Sequence, residues 1–122
     1  MTYTPRNAIA WMEIPVTDMD KAMAFYSAVT QMEFNMEEGG PNPMAMFKTA
    51  DGGVAGHLYP GKPAPRGQGP TIHLSAPDKL EAVTERVKQA GGTVISPPIP
   101  IPNGRFFYAE DPDGNSIGFV ES

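Results

Sequence analysis

The sequence contains no cysteine. Disulfides, thiolate metal sites and a cysteine nucleophile are therefore excluded, and the composition fits a reducing compartment such as the cytoplasm. Long apolar runs are missing as well. Near the start the longest is Ala8 to Met12, far short of a signal-peptide core or a membrane span. Positive charge is scarce: 9 Lys and Arg stand against 14 Asp and Glu, for a net charge of −5, with no basic run. Nucleic-acid binding thus has no electrostatic support. There is no Ser-His-Asp order, no phosphate loop and no glycine-rich dinucleotide fingerprint. Tryptophan occurs once, at Trp11.

The chain does have glycine (13) and proline (14) in plenty, gathered in clusters between patterned segments, where they read as turns. At 122 residues it is one domain by length, or two half-domains that cannot stand alone. Its halves repeat. Asp51-Gly52-Gly53-Val54-Ala55-Gly56 closes the first and Asp113-Gly114-Asn115-Ser116-Ile117-Gly118 the second, both as D-G-x-x-x-G. Upstream in each lies a strand pattern and then an amphipathic helix pattern. Residues 8–16 alternate as a strand, with Trp11 and Glu13 on one face and Met12, Ile14 and Val16 on the other. Thr17 is placed as a helix cap, and Met19, Ala22, Met23, Tyr26 and Val29 form a helical stripe. Strands are predicted over 32–37, 43–49 and 53–59.

Pro60 to Pro70, with three glycines and four prolines, reads as a linker, assigned to 60–69. It separates module one (about 8–59) from module two (about 70–122). Thr71 to Ser75 opens the second module as a strand. Pro77 suits the first turn of a helix striped by Leu80, Val83, Val87 and Ala90, which Gly91-Gly92 stops. Strands follow over 93–96, 104–110 and 115–121, and Pro97 to Pro102 is predicted as a loop. Two units are too few for a solenoid. The expected fold is α+β, a single domain of two pseudo-symmetric βαβββ modules whose sheets enclose a cleft for a small molecule or a metal.

Several of these segments carry a resemblance. They are Pro15-Val16-Thr17-Asp18-Met19 leading to Ala24-Phe25-Tyr26, then Gly91-Gly92, then Asp111-Pro112-Asp113-Gly114-Asn115 before the last strand. In this order and spacing, over about 8–121, the chain resembles the vicinal oxygen chelate superfamily of glyoxalases, bleomycin-resistance proteins and extradiol dioxygenases. The resemblance implies paired βαβββ modules, curved sheets around an open cleft, and frequent homodimers. It also implies a divalent metal that holds two neighbouring substrate oxygens as a Lewis acid. The metal ligands of glyoxalase-type members fall here on Trp11, Gly56, Thr71 and Gly118. Indole has no free lone pair, glycine has no side chain, and threonine is a poor ligand for a transition metal. The usual four-ligand site is therefore not expected, nor is any cofactor, although a divalent metal at a shifted site stays open.

Glu13 shares the strand face of Trp11, and His73 that of Thr71. They are the candidate proton-transfer pair, Glu13 as base and His73 as acid, with a structural hydrogen-bonding role as the plainer reading. Trp11, Thr71, Arg105 and Tyr108 are candidate ligand contacts: a stacking indole, a hydroxyl, a guanidinium for an anionic group or for Glu13, and one of two alternating aromatics. A regular last strand turns His57 away from the cleft, toward the surface or a dimer interface. A bulge at Gly52-Gly53 or Gly56 would reverse it and complete a Glu13, His57 and His73 metal set. Three functions follow as expectations. The first is binding of a small organic molecule, with metal-independent proton chemistry if catalytic. The second is sequestration of an antibiotic or metabolite without catalysis, in an acidic cleft. The third is a metal-dependent lyase or dioxygenase. A homodimer, a cytoplasmic setting, and no nucleic acid or membrane partner complete the reading.

Overall fold

The computed structural model describes residues 2–121. Eleven elements follow in order: β1 (Met12–Val16), α1 (Met19–Thr30), β2 (Phe34–Glu37), β3 (Met44–Phe47), β4 (Gly56–Pro60), β5 (Ile72–Ala76), α2 (Leu80–Gln89), β6 (Thr93–Val94), β7 (Ile99–Ile101), β8 (Gly104–Glu110) and β9 (Ser116–Glu121). They form two sheets of the same plan, β1-β4-β3-β2 and β5-β9-β8-β6. In each, the first strand lies at an edge and runs parallel to the last strand of its module, while the remaining pairs are antiparallel. The two βαβββ modules expected from the repeat are present. Neither helix is long and apolar enough to cross a membrane.

Four local expectations are corrected. Strand β1 begins at Met12 rather than residue 8, because β4 begins opposite it at Gly56 and offers no earlier partner. Asp18, not Thr17, caps α1, accepting from the Lys21 N–H at 3.0 Å. Helix α2 starts at Leu80, so Pro77 precedes it, and its first turn is capped from outside by the Glu121 carboxylate, which accepts from the Leu80 N–H at 2.9 Å. Finally, Pro97 to Pro102 is not wholly a loop: Ile99 to Ile101 pairs with β8 as an edge strand, where a proline without an N–H is tolerated.

The stop of α2 is as expected. Gly91 takes φ +96°, and the Gly92 N–H reaches back to the Val87 carbonyl at 2.9 Å, a geometry that glycine adopts without a Cβ penalty. Helix α1 buries a broader stripe than the spacing suggested, adding Phe25 and Thr30 to Ala22, Tyr26 and Val29. The reason is tertiary: α1 packs on β4 of its own module and on β5 and α2 of the other. One continuous hydrophobic core therefore runs through both modules, from Ile14, Val16 and Leu58 to Leu74, Val83, Phe107 and Phe119.

The turn between β8 and β9 fastens the modules together. Buried Asp111 accepts from the Tyr26 hydroxyl at 2.7 Å and from the N–H groups of Asp113 and Asn115 at 2.9 Å each. Burial, and then the charge of Asp111, push the Tyr26 phenol well above its ordinary value, so it stays a neutral donor. Asp113 accepts from the Thr17 hydroxyl and N–H, and the Asn115 amide donates to the Pro15 carbonyl at 2.9 Å. Thr17 thus serves the module junction instead of the helix cap.

Candidate functional site

The buried side chains of β1 are Ile14 and Val16, which puts Glu13 and Pro15 on the face away from the core. On β4 the buried Leu58 lies across from Ile14, and His57 lies across from Glu13. Paired residues of a parallel ladder point the same way, so His57 shares the face of Glu13. The expected opposition of His57 to Glu13 does not hold, and no bulge is needed for them to share a face. Gly56 and Gly118 match in the repeat but not in the ladders. Gly56 pairs with Met12, whereas Gly118 pairs with His73, so His57 is the true counterpart of Gly118.

These residues lie in series. The Trp11 indole N–H donates to Nδ1 of His57 at 2.8 Å, and Nε2 of His57 lies 3.1 Å from Oε1 of Glu13. An indole nitrogen can only donate, so Nδ1 must carry the lone pair and the imidazole proton sits on Nε2, the nitrogen nearer the carboxylate. His57 is only 6% exposed, whereas the Glu13 side chain is 64% exposed. Sequence reasoning missed this pairing. The signal was available in Leu58: once that leucine faces the core, its neighbour His57 faces the other way.

In the second module, His73 lies edge-on to Phe106 (centroids 5.1 Å apart) and near Tyr108 (5.9 Å). Its ring occupies the space above Gly118, where a Cβ would collide with Nδ1. Thr71 shares a 2.6 Å hydrogen bond with the Ser116 hydroxyl.

A cavity of about 730 Å³ opens where the modules meet. Its apolar wall comes from Trp11, Met12, Met32, Phe47, Ile72 and Leu74, and its polar groups from Thr49, Thr71, His73 and Ser75. Lys48 is the one formally charged residue of the lining, and it is paired with Glu33 at 3.7 Å. No carboxylate lines this cavity among the described residues. A smaller cavity of about 140 Å³, sharing Pro70 and Ile72 with it, holds Glu13.

The structure thus brings Trp11, Thr71 and His73 together and leaves the other candidates elsewhere. Glu13 is engaged with His57 rather than facing His73. Tyr108 is exposed on the open face beside His73, outside the cavity lining. Arg105 does not meet Glu13 or the cavity. Its guanidinium bonds both oxygens of Glu81 at 3.1 Å and both of Glu121, at 3.2 and 2.6 Å. Those hydrogen bonds hold Glu121 down to about 2 and lower Glu81. The fork matches two carboxylates of its own chain, which leaves it committed to the α2–β9 junction.

The implied metal also fails on donor chemistry. Of the implied ligand positions, Gly56 faces the core side of β4, and the next residue, His57, has one nitrogen taken by indole and the other 3.1 Å from Glu13. Among the described residues no group of three or more His, Asp or Glu side chains is placed to hold a metal. His73 does not join Glu13 and His57, so the shifted three-ligand set is not assembled.

The family pattern described as "Glyoxalase/Bleomycin resistance protein/Dioxygenase superfamily" matches residues 8–119. The chain is 32% identical over 110 residues to "Putative glyoxylase CFP32" of Mycobacterium bovis and of Mycobacterium tuberculosis. The match covers 88% of this chain and 41% of those proteins, so the chain spans less than half their length. Among solved structures, a glyoxalase/bleomycin resistance protein from Albidiferax ferrireducens superposes with TM-score 0.72 at 19% identity, covering 95% of this chain and 99% of that one. The fosfomycin resistance protein FosX from Listeria monocytogenes gives 0.71 at 17% identity, covering 98% and 93%. At such identities these two likenesses establish the fold, while the family pattern, extending over nearly the whole chain, establishes descent: the chain belongs to the glyoxalase/bleomycin resistance protein/dioxygenase superfamily.

Proposed function

We propose that this protein binds a small, uncharged, largely apolar organic molecule in the junction cavity. The observation that carries this is the lining itself: about 730 Å³ walled by an indole, methionines and aliphatic side chains, with a few hydroxyls, one imidazole and no carboxylate among the described residues. That volume suits a drug-sized molecule, and the sparse polar groups suit orientation more than charge neutralisation. A cationic ligand would find no counter-charge there. An anionic one would find Lys48 alone, and Lys48 already faces Glu33. Binding, whether to sequester the ligand or to carry it, is the activity this lining supports. Any proton chemistry inside the cavity falls to His73, since Glu13 lies outside it.

The test is titration with N-phenyl-1-naphthylamine, a neutral apolar fluorophore, against the native protein and Ala50→Phe, which fills the mouth of the cavity from an exposed lining position. Saturable binding is expected. The variant should weaken it by about tenfold or more, equivalent to about 1.4 kcal/mol. Equal binding by both proteins, or tighter binding of a cationic analogue than of the neutral probe, would reject the reading.

A further inference from the structure

Trp11 is the one residue shared by the junction cavity and the Glu13–His57 pair. It precedes β1 and has no strand partner, because β4 begins opposite Met12. Trp11 is 44% exposed. Neither ladder bonds nor deep burial hold such a side chain, which leaves several rotamers open to it. One directional contact selects among them: the 2.8 Å bond from the indole N–H to Nδ1 of His57. His57 is itself fixed. It is buried, and its ring packs at a tilt on the indole and edge-on to Tyr59.

The three groups stand in series, with one hydrogen bond from the indole to Nδ1 and a 3.1 Å approach of Nε2 to the Glu13 carboxylate. Indole can only donate and carboxylate can only accept, so an imidazole between them must hold its proton on Nε2. Reversing the tautomer would set two N–H groups against each other at Trp11 and leave a lone pair facing Glu13. We propose that His57 is the positioning residue of the ligand cavity, holding Trp11 as its wall, and that Glu13 acts from outside by fixing the tautomer that makes this possible. The proposal rests on the junction cavity being the ligand site. It gives the Glu13 carboxylate and the buried imidazole a role in affinity although neither lines the cavity.

Because Trp11 is the only tryptophan, intrinsic fluorescence reports this residue alone. The experiment compares the native protein with His57→Leu and His57→Asn. Leucine fills the buried volume without an acceptor, while the asparagine oxygen can stand where Nδ1 stood. Two readings are taken: acrylamide quenching of Trp11 without ligand, and affinity for N-phenyl-1-naphthylamine. His57→Leu should raise quenching by about twofold and weaken the probe by about tenfold, the scale of one lost buried hydrogen bond. His57→Asn should return both to within about threefold of native, whatever its thermal stability. Unchanged quenching in His57→Leu would overturn the proposal. So would an Asn variant as defective as the Leu variant, since His57 would then act by packing alone. If the native protein fails to bind the probe, the cavity reading falls, and with it the ligand half of the proposal. The quenching series still decides separately whether His57 holds the indole.

Discussion

Two glycines that look alike in sequence face different neighbours, and the difference decides what each tolerates. A Cβ on Gly56 would strike the backbone carbonyl of Met12, so the β1–β4 ladder itself would have to shift. A Cβ on Gly118 would strike the ring of His73, an exposed side chain rather than backbone. Gly56→Ala should therefore cost about 1–3 kcal/mol, the usual scale of overpacking, and disturb the Glu13–His57 alignment. Gly118→Ala should cost less than about 1 kcal/mol yet displace His73. Urea unfolding and the imidazole NMR shifts of His73 check both halves. Comparable destabilisation by the two substitutions would show that the glycines are equivalent after all. The same pair marks what the sequence could not disclose about single residues. The D-G-x-x-x-G repeat is real, but its two copies sit one residue out of step against their partner strands. Strand register is a property of two segments at once, and it alone puts His57 beside Glu13.

Among the elements, the junction of α2 with β9 depends on one triad of charges. Glu121 caps α2 through the Leu80 N–H and takes two bonds from Arg105, which also holds Glu81. Its carboxyl is lowered from 4.5 to about 2 in the folded chain, chiefly by the Arg105 hydrogen bonds and then by the Leu80 N–H. A carboxylate lowered on folding favours the native state above its unfolded value. That contribution is lost as pH falls from about 4.5 through about 2. Glu121→Gln should accordingly melt below the native protein at pH 6, and the gap should close between pH 4.5 and 2. A gap that stays constant with pH would remove the charge from the account. Most elements were legible in the sequence because their periodicity is local: the stripe of α2, the glycine stop at Gly91-Gly92 and the long strand β8 all lie where expected. The departures come from partners the pattern cannot name. Asp113 draws Thr17 away from capping, Glu121 caps α2 from a distant strand, and β8 recruits Ile99 to Ile101 out of a proline-rich stretch.

Taken whole, the molecule divides the chemistry that its sequence seemed to gather. Glu13 and His73, expected to face one cleft from the first strands of the two modules, line different cavities. The cavity between the modules keeps His73, Thr71 and Trp11, while Glu13 goes with His57. No local pattern reports this, because the shared core and the turn at Asp111 to Asn115 set how the modules meet. What results is an apolar chamber with an indole wall, secured from behind by a buried imidazole. Methionine placement allows a direct test, since Met12 and Met32 line the chamber while Met44 and Met46 lie on the first sheet away from it. The measurement is a titration of methyl-labelled methionine with N-phenyl-1-naphthylamine, followed by carbon–proton NMR. Saturable shifts are expected at Met12 and Met32, with Met44 and Met46 nearly still. Shifts confined to Met44 and Met46, with Met12 and Met32 unmoved, would contradict this and place the ligand on the open face of the first sheet.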